Sequence, residues 1–168
     1  MIVVMGSGEG TNFQALAKHI SIDLVITNNK NANIVNRAKN LGVKYIISKD
    51  QYESHVPVNT KLVILAGFMK LLSPGFVDKF KIVNIHPSLL PSFRGIDAIG
   101  QALDAGVKFT GCTVHWVDKG IDTGKIIDQL VCPIGPNDNK INLQQKIQKL
   151  EHKIYPAIVK ELIHDKLD

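Results

Sequence analysis

The chain has 168 residues, of which 45% are hydrophobic and 6% aromatic, with a formal net charge of +5. This length suits a single domain, which we expect over residues 1–168. No apolar run reaches the roughly 20 residues of a membrane span, and MIVVMGSGEG at the start is typical of a first strand rather than a signal peptide. The cysteines, Cys112 and Cys132, make no disulfide framework, so we expect a cytoplasmic protein.

The positive charge does not follow a nucleic-acid-binding pattern. Lysines are scattered from Lys18 to Lys166, the arginines are Arg37 and Arg94, and no basic run alternates with aromatic residues. Mild basicity is equally suited to an anionic small-molecule substrate. We therefore expect small-molecule partners, with no nucleic acid and no membrane. The composition leaves both a monomer and a homodimer open.

The first two thirds of the chain alternate between short apolar runs and helical patterns. Apolar runs of this length are typical of buried strands, and we predict five of them: IVVM, DLVIT, VKYII, KLVILAG and KIVNIH. Helices are predicted between them at NFQALAKHI, NANIVNRAKNLG, SPGFVDKF and DAIGQALDAG. Gly42 is suited to close the second helix, and Ser73 with Pro74 is suited to begin the third.

The pattern changes in the last third of the chain. FTGCTVHWV and KIIDQLVCPI are two β runs joined by DKGIDTG, which predicts an antiparallel hairpin. Residues 141–164 have a helical pattern, in which Pro156 predicts a kink or a break. Together these elements predict an α/β fold, a doubly wound, mostly parallel, Rossmann-like sheet with an antiparallel hairpin. Ligands bind such sheets beyond the carboxyl ends of the strands.

The glycine loop GSGEGTN, residues 6–12, follows the first strand and begins a helix. Backbone N–H groups in that position bind anions. The dinucleotide fingerprint fails, because Thr11 stands where a third glycine is needed and no acid for a ribose follows the second strand. A single phosphate is therefore the favoured ligand. A turn that only needs a positive φ is the alternative.

Asn84 and His86 alternate at the end of the fifth strand, so both side chains point to one face of the sheet. An amide beside an imidazolium is suited to stabilise a developing oxyanion and to donate a proton. A histidine that only completes a strand is the alternative. Pro87 and Pro91 stiffen the loop that follows, which favours the chemical interpretation.

The loop DKGIDTG carries two acids, Asp118 and Asp122. Two carboxylates are few for calcium, and the EF-hand spacing is missing. The remaining histidines have no metal-binding spacing either, so we predict no metal. An acid of this loop is instead suited to orient a histidine and keep it protonated. A solvated hairpin tip is the alternative.

NIHPSLLP, residues 84–91, together with DTG, residues 122–124, resembles the folate-dependent formyltransferases. The resemblance implies an enzyme in which Asn84, His86 and Asp122 assist transfer of a formyl group from the co-substrate 10-formyltetrahydrofolate to an amine. IVVMGSGEGTNFQAL, LAGFMKLLSP, GCTVHWVDKGIDTGKIIDQ and LEHKIYP are similar to one branch of the family. That branch formylates glycinamide ribonucleotide in the biosynthesis of purines (IMP).

The resemblance also implies a set of binding residues. For glycinamide ribonucleotide they are Gly10, Thr11 and Asn12, which bind its phosphate, and Gln148 and Glu151. For the folate they are Met69, Lys70, Leu71, Leu72, Asn84, Asp118, Lys119, Gly120, Ile121 and Asp122.

Two features depart from the family pattern. Between Ile47 and Lys61 the chain is shorter than is usual, which leaves Lys49 as a candidate for the basic folate contact. Arg94 and Gly95 are more similar to the methionyl-tRNA branch, although we expect no counterpart of that branch's second domain. A sugar-nucleotide formyltransferase stays open as an alternative, as does a non-catalytic nucleotide-binding module. The latter leaves the three catalytic candidates unexplained.

Overall fold

Strands and helices alternate along the chain in the computed structural model, which describes residues 1–164. The strands are β1 (Ile2–Met5), β2 (Leu24–Thr27), β3 (Tyr45–Ile47), β4 (Leu62–Leu65), β5 (Ile82–His86), β6 (Phe109–Trp116) and β7 (Ile126–Pro133). The helices are α1 (Thr11–Ala17), α2 (Ile34–Asn40), α3 (Pro74–Lys79), α4 (Ala98–Asp104) and α5 (Lys140–His164), with a 3₁₀ helix at Tyr52–His55.

The seven strands form one sheet in the order β3-β2-β1-β4-β5-β6-β7. β1 to β5 are parallel to one another, while β6 pairs antiparallel with β5 and β7 antiparallel with β6. This confirms the doubly wound, mostly parallel α/β sheet with a hairpin that the sequence predicts. That residues 1–168 are a single domain stays a prediction, and residues 165–168 lie outside the described part.

Each face of the sheet is covered by its own apolar cluster. In β1, Ile2 and Val4 pack with α1, α2 and α5, whereas Val3 and Met5 pack on the opposite side with Phe76 of α3. Alternate side chains of one strand point to opposite faces, so a strand buried on both faces has the continuous apolar run seen in IVVM. The result is a sheet between two layers.

The predicted helix signals act as expected, but several elements are shorter than their patterns. Ser73 accepts a hydrogen bond from the N–H of Phe76 at the start of α3, and Gly42 follows α2 with a φ of 66°. The first helix ends at Ala17 rather than Ile20, and β3 begins at Tyr45 rather than Val43. β3 lies at the edge of the sheet and has fewer neighbours to extend its pairing.

The predicted break at Pro156 is wrong, because α5 continues through this residue from Lys140 to His164, while a kink there stays a prediction. Pro156 is buried, and the neighbouring Tyr155 donates from its hydroxyl to the carbonyl oxygens of Leu65 and Val83 at 2.8 and 3.1 Å. Tertiary contacts on both sides of the proline therefore hold the helix in place despite its missing N–H. Over residues 1–164, no helix has the length and apolar character needed to cross a membrane.

Candidate active site

The side chains of β5 divide between the two faces of the sheet. Val83 and Ile85 belong to the cluster that includes α5, and Asn84 and His86 point to the other face. His86 is buried and Asn84 is half-buried. The last residues of a strand that is otherwise apolar therefore place an amide and an imidazole side by side.

Asp122 reaches His86 because the hairpin tip folds back over the sheet. The N–H of Val117 donates to the carbonyl of Ile82 at 2.8 Å, so β6 leaves the sheet near the amino end of β5. Asp122 nevertheless lies near its carboxyl end, with Oδ2 3.3 Å from Nδ1 of His86. The loop that leaves the sheet near the amino end of β5 therefore brings Asp122 back to the carboxyl end of that strand.

Both ring nitrogens of His86 face oxygen atoms. Nε2 lies 2.8 Å from the carbonyl oxygen of Phe93, which can only accept, and Nδ1 faces the Asp122 carboxylate. Both ring nitrogens of His86 therefore lie within reach of a hydrogen-bond acceptor. Phe93 adopts a φ of 57°, which is uncommon outside glycine and here directs its carbonyl at the histidine.

His115 is a further member of this cluster that sequence reasoning missed. It lies opposite Asn84 in the β5–β6 ladder, and its Nδ1 donates to the carbonyl of Trp116 at 2.8 Å. Its Nε2 is 3.3 Å from the amide nitrogen of Asn84 and 3.6 Å from Oδ1 of Asp122. The alternation of TVHW in the predicted hairpin is a signal that could have found it, given the strand pairing.

The Asp122 carboxylate is held ionised by its neighbours. Burial alone raises its pKa, but the contact with His115, the N–H of Gly95 and the charges of His86 and His115 outweigh burial and leave the pKa below its ordinary value. Its side chain is 13% exposed. The cluster therefore combines a negative charge, two imidazoles and an amide donor in a mostly water-excluded space, where charge interactions are strong.

The predicted substrate residues from the two ends of the chain also come together. Gln148 donates to the hydroxyl of Thr11 at 2.9 Å, and the amide of Asn12 donates to Glu151 at 2.9 Å. Gly10 precedes α1 with a φ of 71° and gives no side-chain cap to the first turn. The backbone N–H groups of that turn thus have no side-chain cap, and the anion site predicted for the glycine loop stays a prediction.

Glu151 supplies the carboxyl group of this second cluster, and the pKa of that group is strongly shifted. Burial raises its pKa to about 7, against the hydrogen bond from Asn12, which lowers it. Oδ1 of Asn12 is itself buried and has no partner among the described residues. The carboxyl group of Glu151 therefore takes up a proton at a higher pH than an exposed glutamate does.

The folate candidates form two segments on the same side of the sheet as Asn84 and His86. Leu72 and Val117 pack in the cluster on that face, and Met69 and Leu71 are 77% and 72% exposed. Ser7 connects the first segment to the glycine loop, since its hydroxyl accepts from the N–H of Met69 at 2.9 Å.

The second segment is shaped by Asp118. Its Oδ1 accepts from the N–H of Gly120 at 3.0 Å and from the hydroxyl of Thr123 at 2.6 Å. Lys119 is paired with Asp78, and Lys49 and Lys70 are exposed. Within residues 1–164, no three His, Cys, Asp or Glu side chains are grouped to hold a metal ion, and the expectation of no metal stays a prediction.

Similarity to known proteins identifies the family of this chain. Residues 1–159 match the sequence profile described as formyl transferase. The chain is 38% identical to phosphoribosylglycinamide formyltransferase of Bacillus subtilis over 95% of this chain and 93% of that protein. It is 39% identical to trifunctional purine biosynthetic protein adenosine-3 of Drosophila melanogaster over 97% of this chain, which is 14% of that longer protein. The crystal structure of phosphoribosylglycinamide formyltransferase from Streptococcus pneumoniae TIGR4 has a TM-score of 0.90 at 37% identity, covering 96% of this chain and 98% of that one. The chain belongs to the formyl transferase family.

Proposed function

We propose that the protein transfers the formyl group of 10-formyltetrahydrofolate to the amino group of glycinamide ribonucleotide, a step of purine biosynthesis. The observation that carries this proposal is the approach of Asp122 to His86 beside Asn84, in a chain that belongs to the formyl transferase family. The similarity to the phosphoribosylglycinamide formyltransferase of Bacillus subtilis supports the same acceptor, and the similarity to the trifunctional purine biosynthetic protein of Drosophila melanogaster supports the same pathway.

The geometry suggests a role for each catalytic candidate. The amine nitrogen attacks the formyl carbon, a C–N bond forms, and the formyl oxygen gains negative charge. The Asn84 amide donates to that charge, and His86, which faces the ionised Asp122, donates to it once a ring nitrogen is released from its contact with Phe93 or Asp122. The bond between the formyl carbon and the folate nitrogen then breaks. The proton that the amine loses goes to that nitrogen, with Asp122 assisting its movement.

The substrate phosphate is assigned to the backbone of Gly10, Thr11 and Asn12. The uncapped first turn of α1 supports this assignment, and so does the cluster that Gln148 and Glu151 form with it. Gln148 and Glu151 are then in position to contact the remainder of glycinamide ribonucleotide. A single phosphate group is compatible with a loop that lacks both the third glycine and the ribose acid of a dinucleotide site.

The folate is assigned to residues 69–72 and 118–122. The exposed apolar side chains of Met69 and Leu71 suit a flat, partly apolar ring system, and the loop ends in the catalytic candidate Asp122. Small-molecule substrates and no bound metal are proposed, and we place the protein in the cytoplasm, where purines are made.

A transfer assay with the purified protein tests this proposal. We expect a formylated product, detected by mass spectrometry, when glycinamide ribonucleotide and 10-formyltetrahydrofolate are both present. Omission of either substrate is the control. A UDP-linked amino sugar in place of glycinamide ribonucleotide should give no product. Formylation of the amino sugar alone would favour the sugar-nucleotide branch, and no transfer to either acceptor would favour a non-catalytic module.

A further inference from the structure

The peptide group that joins Arg94 to Gly95 lies directly against Asp122. Its N–H, on Gly95, donates to Oδ2 of Asp122 at 2.8 Å, the same oxygen that faces His86. Its C=O, on Arg94, accepts from the side-chain amide of Gln101 at 3.1 Å. One peptide plane is therefore held from both sides, and its orientation decides whether the N–H points at the carboxylate.

The side-chain amide of Gln101 is positioned to hold that peptide plane through hydrogen bonds. Its amide nitrogen also donates to the carbonyl of Ile96 at 2.8 Å, so its two hydrogens serve the carbonyls on either side of Gly95. Gly95 has a φ of 76°, where the backbone has few steric restraints of its own. Asp97 caps the N–H of Gly100, which anchors the start of α4 and places Gln101 one turn above the loop.

We propose that Gln101 is a positioning residue for Asp122 that acts through the Arg94–Gly95 peptide. It orients the Gly95 N–H toward the carboxylate, which in turn faces His86. Hydrogen bonds in such a chain polarise one another, so a donor on the carbonyl strengthens the N–H at the other end of the peptide. The inference rests on the proposed function of Asp122 as the partner of the catalytic histidine.

The other contacts of Asp122 do not replace this one. Nε of Arg94 donates at 3.2 Å to the backbone carbonyl of Asp122 and not to its carboxylate. The imidazole rings of His86 and His115 also face the carboxylate, and both residues lie on strands of the sheet. The Gly95 N–H is thus the hydrogen-bond donor that reaches the carboxylate from the loop that follows Pro91.

Gln101→Met and Gln101→Glu test the proposal, since Met has no amide and Glu cannot donate when ionised. We expect kcat for formyl transfer to fall about five- to tenfold with little change in KM, as for the loss of one or two hydrogen bonds. In ¹⁵N-labelled protein the amide proton of Gly95 should shift upfield and exchange about tenfold faster. Gln101 is exposed, so the unfolding temperature should stay close to that of the wild type.

Gln145→Met, at an exposed position of α5, is the matched control and should keep wild-type kcat and the wild-type Gly95 signal. Asp122→Asn is measured beside it. If both Gln101 variants keep wild-type kcat and the Gly95 signal while Asp122→Asn is impaired, the role of Gln101 is wrong and the proposed function stands. A lower unfolding temperature that accounts for the lost activity would also overturn it. Full activity in Asp122→Asn would overturn the proposed role of Asp122 and with it this inference, whereas the absence of formyl transfer by the wild-type protein would overturn the proposed function itself.

Discussion

Asn84 offers the clearest single-residue prediction. Its amide nitrogen points from β5 into the cluster, 3.3 Å from Nε2 of His115. Asn84→Ala keeps the backbone pairing and removes the amide, so we expect kcat to fall about 10²–10³-fold, as for the loss of one oxyanion donor. KM for glycinamide ribonucleotide should change little. Steady-state kinetics checks this, with Asn36→Ala on α2 as the control, and nearly full kcat in the Asn84 variant would exclude the role.

Glu151 allows a prediction about stability and pH. Its folded pKa of about 7 is above the ordinary value of 4.5, so its contribution is fully present below pH 4.5 and is lost as the pH rises to about 7. Glu151→Gln removes this dependence. Relative to the wild type, the variant should gain about 3 kcal/mol in free energy of unfolding between pH 4.5 and pH 8.

Urea denaturation at the two pH values measures this difference. Glu161→Gln, at an exposed position of the same helix, is the control and should show no such gain. An equal difference between Glu151→Gln and wild type at both pH values would mean that the carboxyl does not change its protonation on folding.

At the scale of residues, the sequence identifies side chains whose chemistry stands out against their surroundings. Asn84 and His86 interrupt an apolar strand, and Asp122 lies in a short polar loop, so pattern and family resemblance both point to them. His115 has no such contrast, because its importance depends on the strand that pairs opposite to it. The Gly95 N–H is a backbone group, and no side-chain pattern could indicate that it meets Asp122.

Among the elements, α5 depends on one buried hydroxyl. Tyr155 donates to carbonyl oxygens of β4 and β5, which connects the helix to the strands beside the active cluster. Tyr155→Phe should lower the free energy of unfolding by about 1 kcal/mol, the net value of a typical hydrogen bond, and leave the fold intact. Chemical denaturation measures it, with Tyr45→Phe on the edge strand as the control. Equal stability of the Tyr155 variant and wild type would show that the hydroxyl is not a significant anchor.

Whether a segment forms a strand or a helix is easier to predict from the sequence than where that strand or helix ends. Short apolar runs predict all seven strands, and helical spacing predicts the five α-helices. Ser73 predicts the start of α3 through a local hydrogen bond. Pro156 locally predicts a break, but tertiary packing keeps α5 continuous through this residue. The fold-back of the hairpin tip is also tertiary, because the sequence DKGIDTG specifies a turn and not the sheet face on which the turn lies.

For the whole molecule, the sheet brings together residues from distant parts of the chain. Thr11 meets Gln148, and Asp122 meets His86 across residues 87–121. Alternating elements predict the layer arrangement, since parallel strands need helical crossovers. They do not predict which loops converge. The family resemblance, and not the pattern of elements, indicated that Asp122 belongs with Asn84 and His86.

The most direct test of the proposed catalytic centre is the rate of formyl transfer by Asp122→Asn compared with wild type. The substitution keeps the shape of the side chain and removes the charge that faces His86 and His115. We expect kcat with glycinamide ribonucleotide and 10-formyltetrahydrofolate to fall by about two orders of magnitude or more, because His86 loses the negatively charged partner that faces its Nδ1. A wild-type kcat in the Asn variant, with the fold unchanged, would contradict the proposal that these side chains form the catalytic centre.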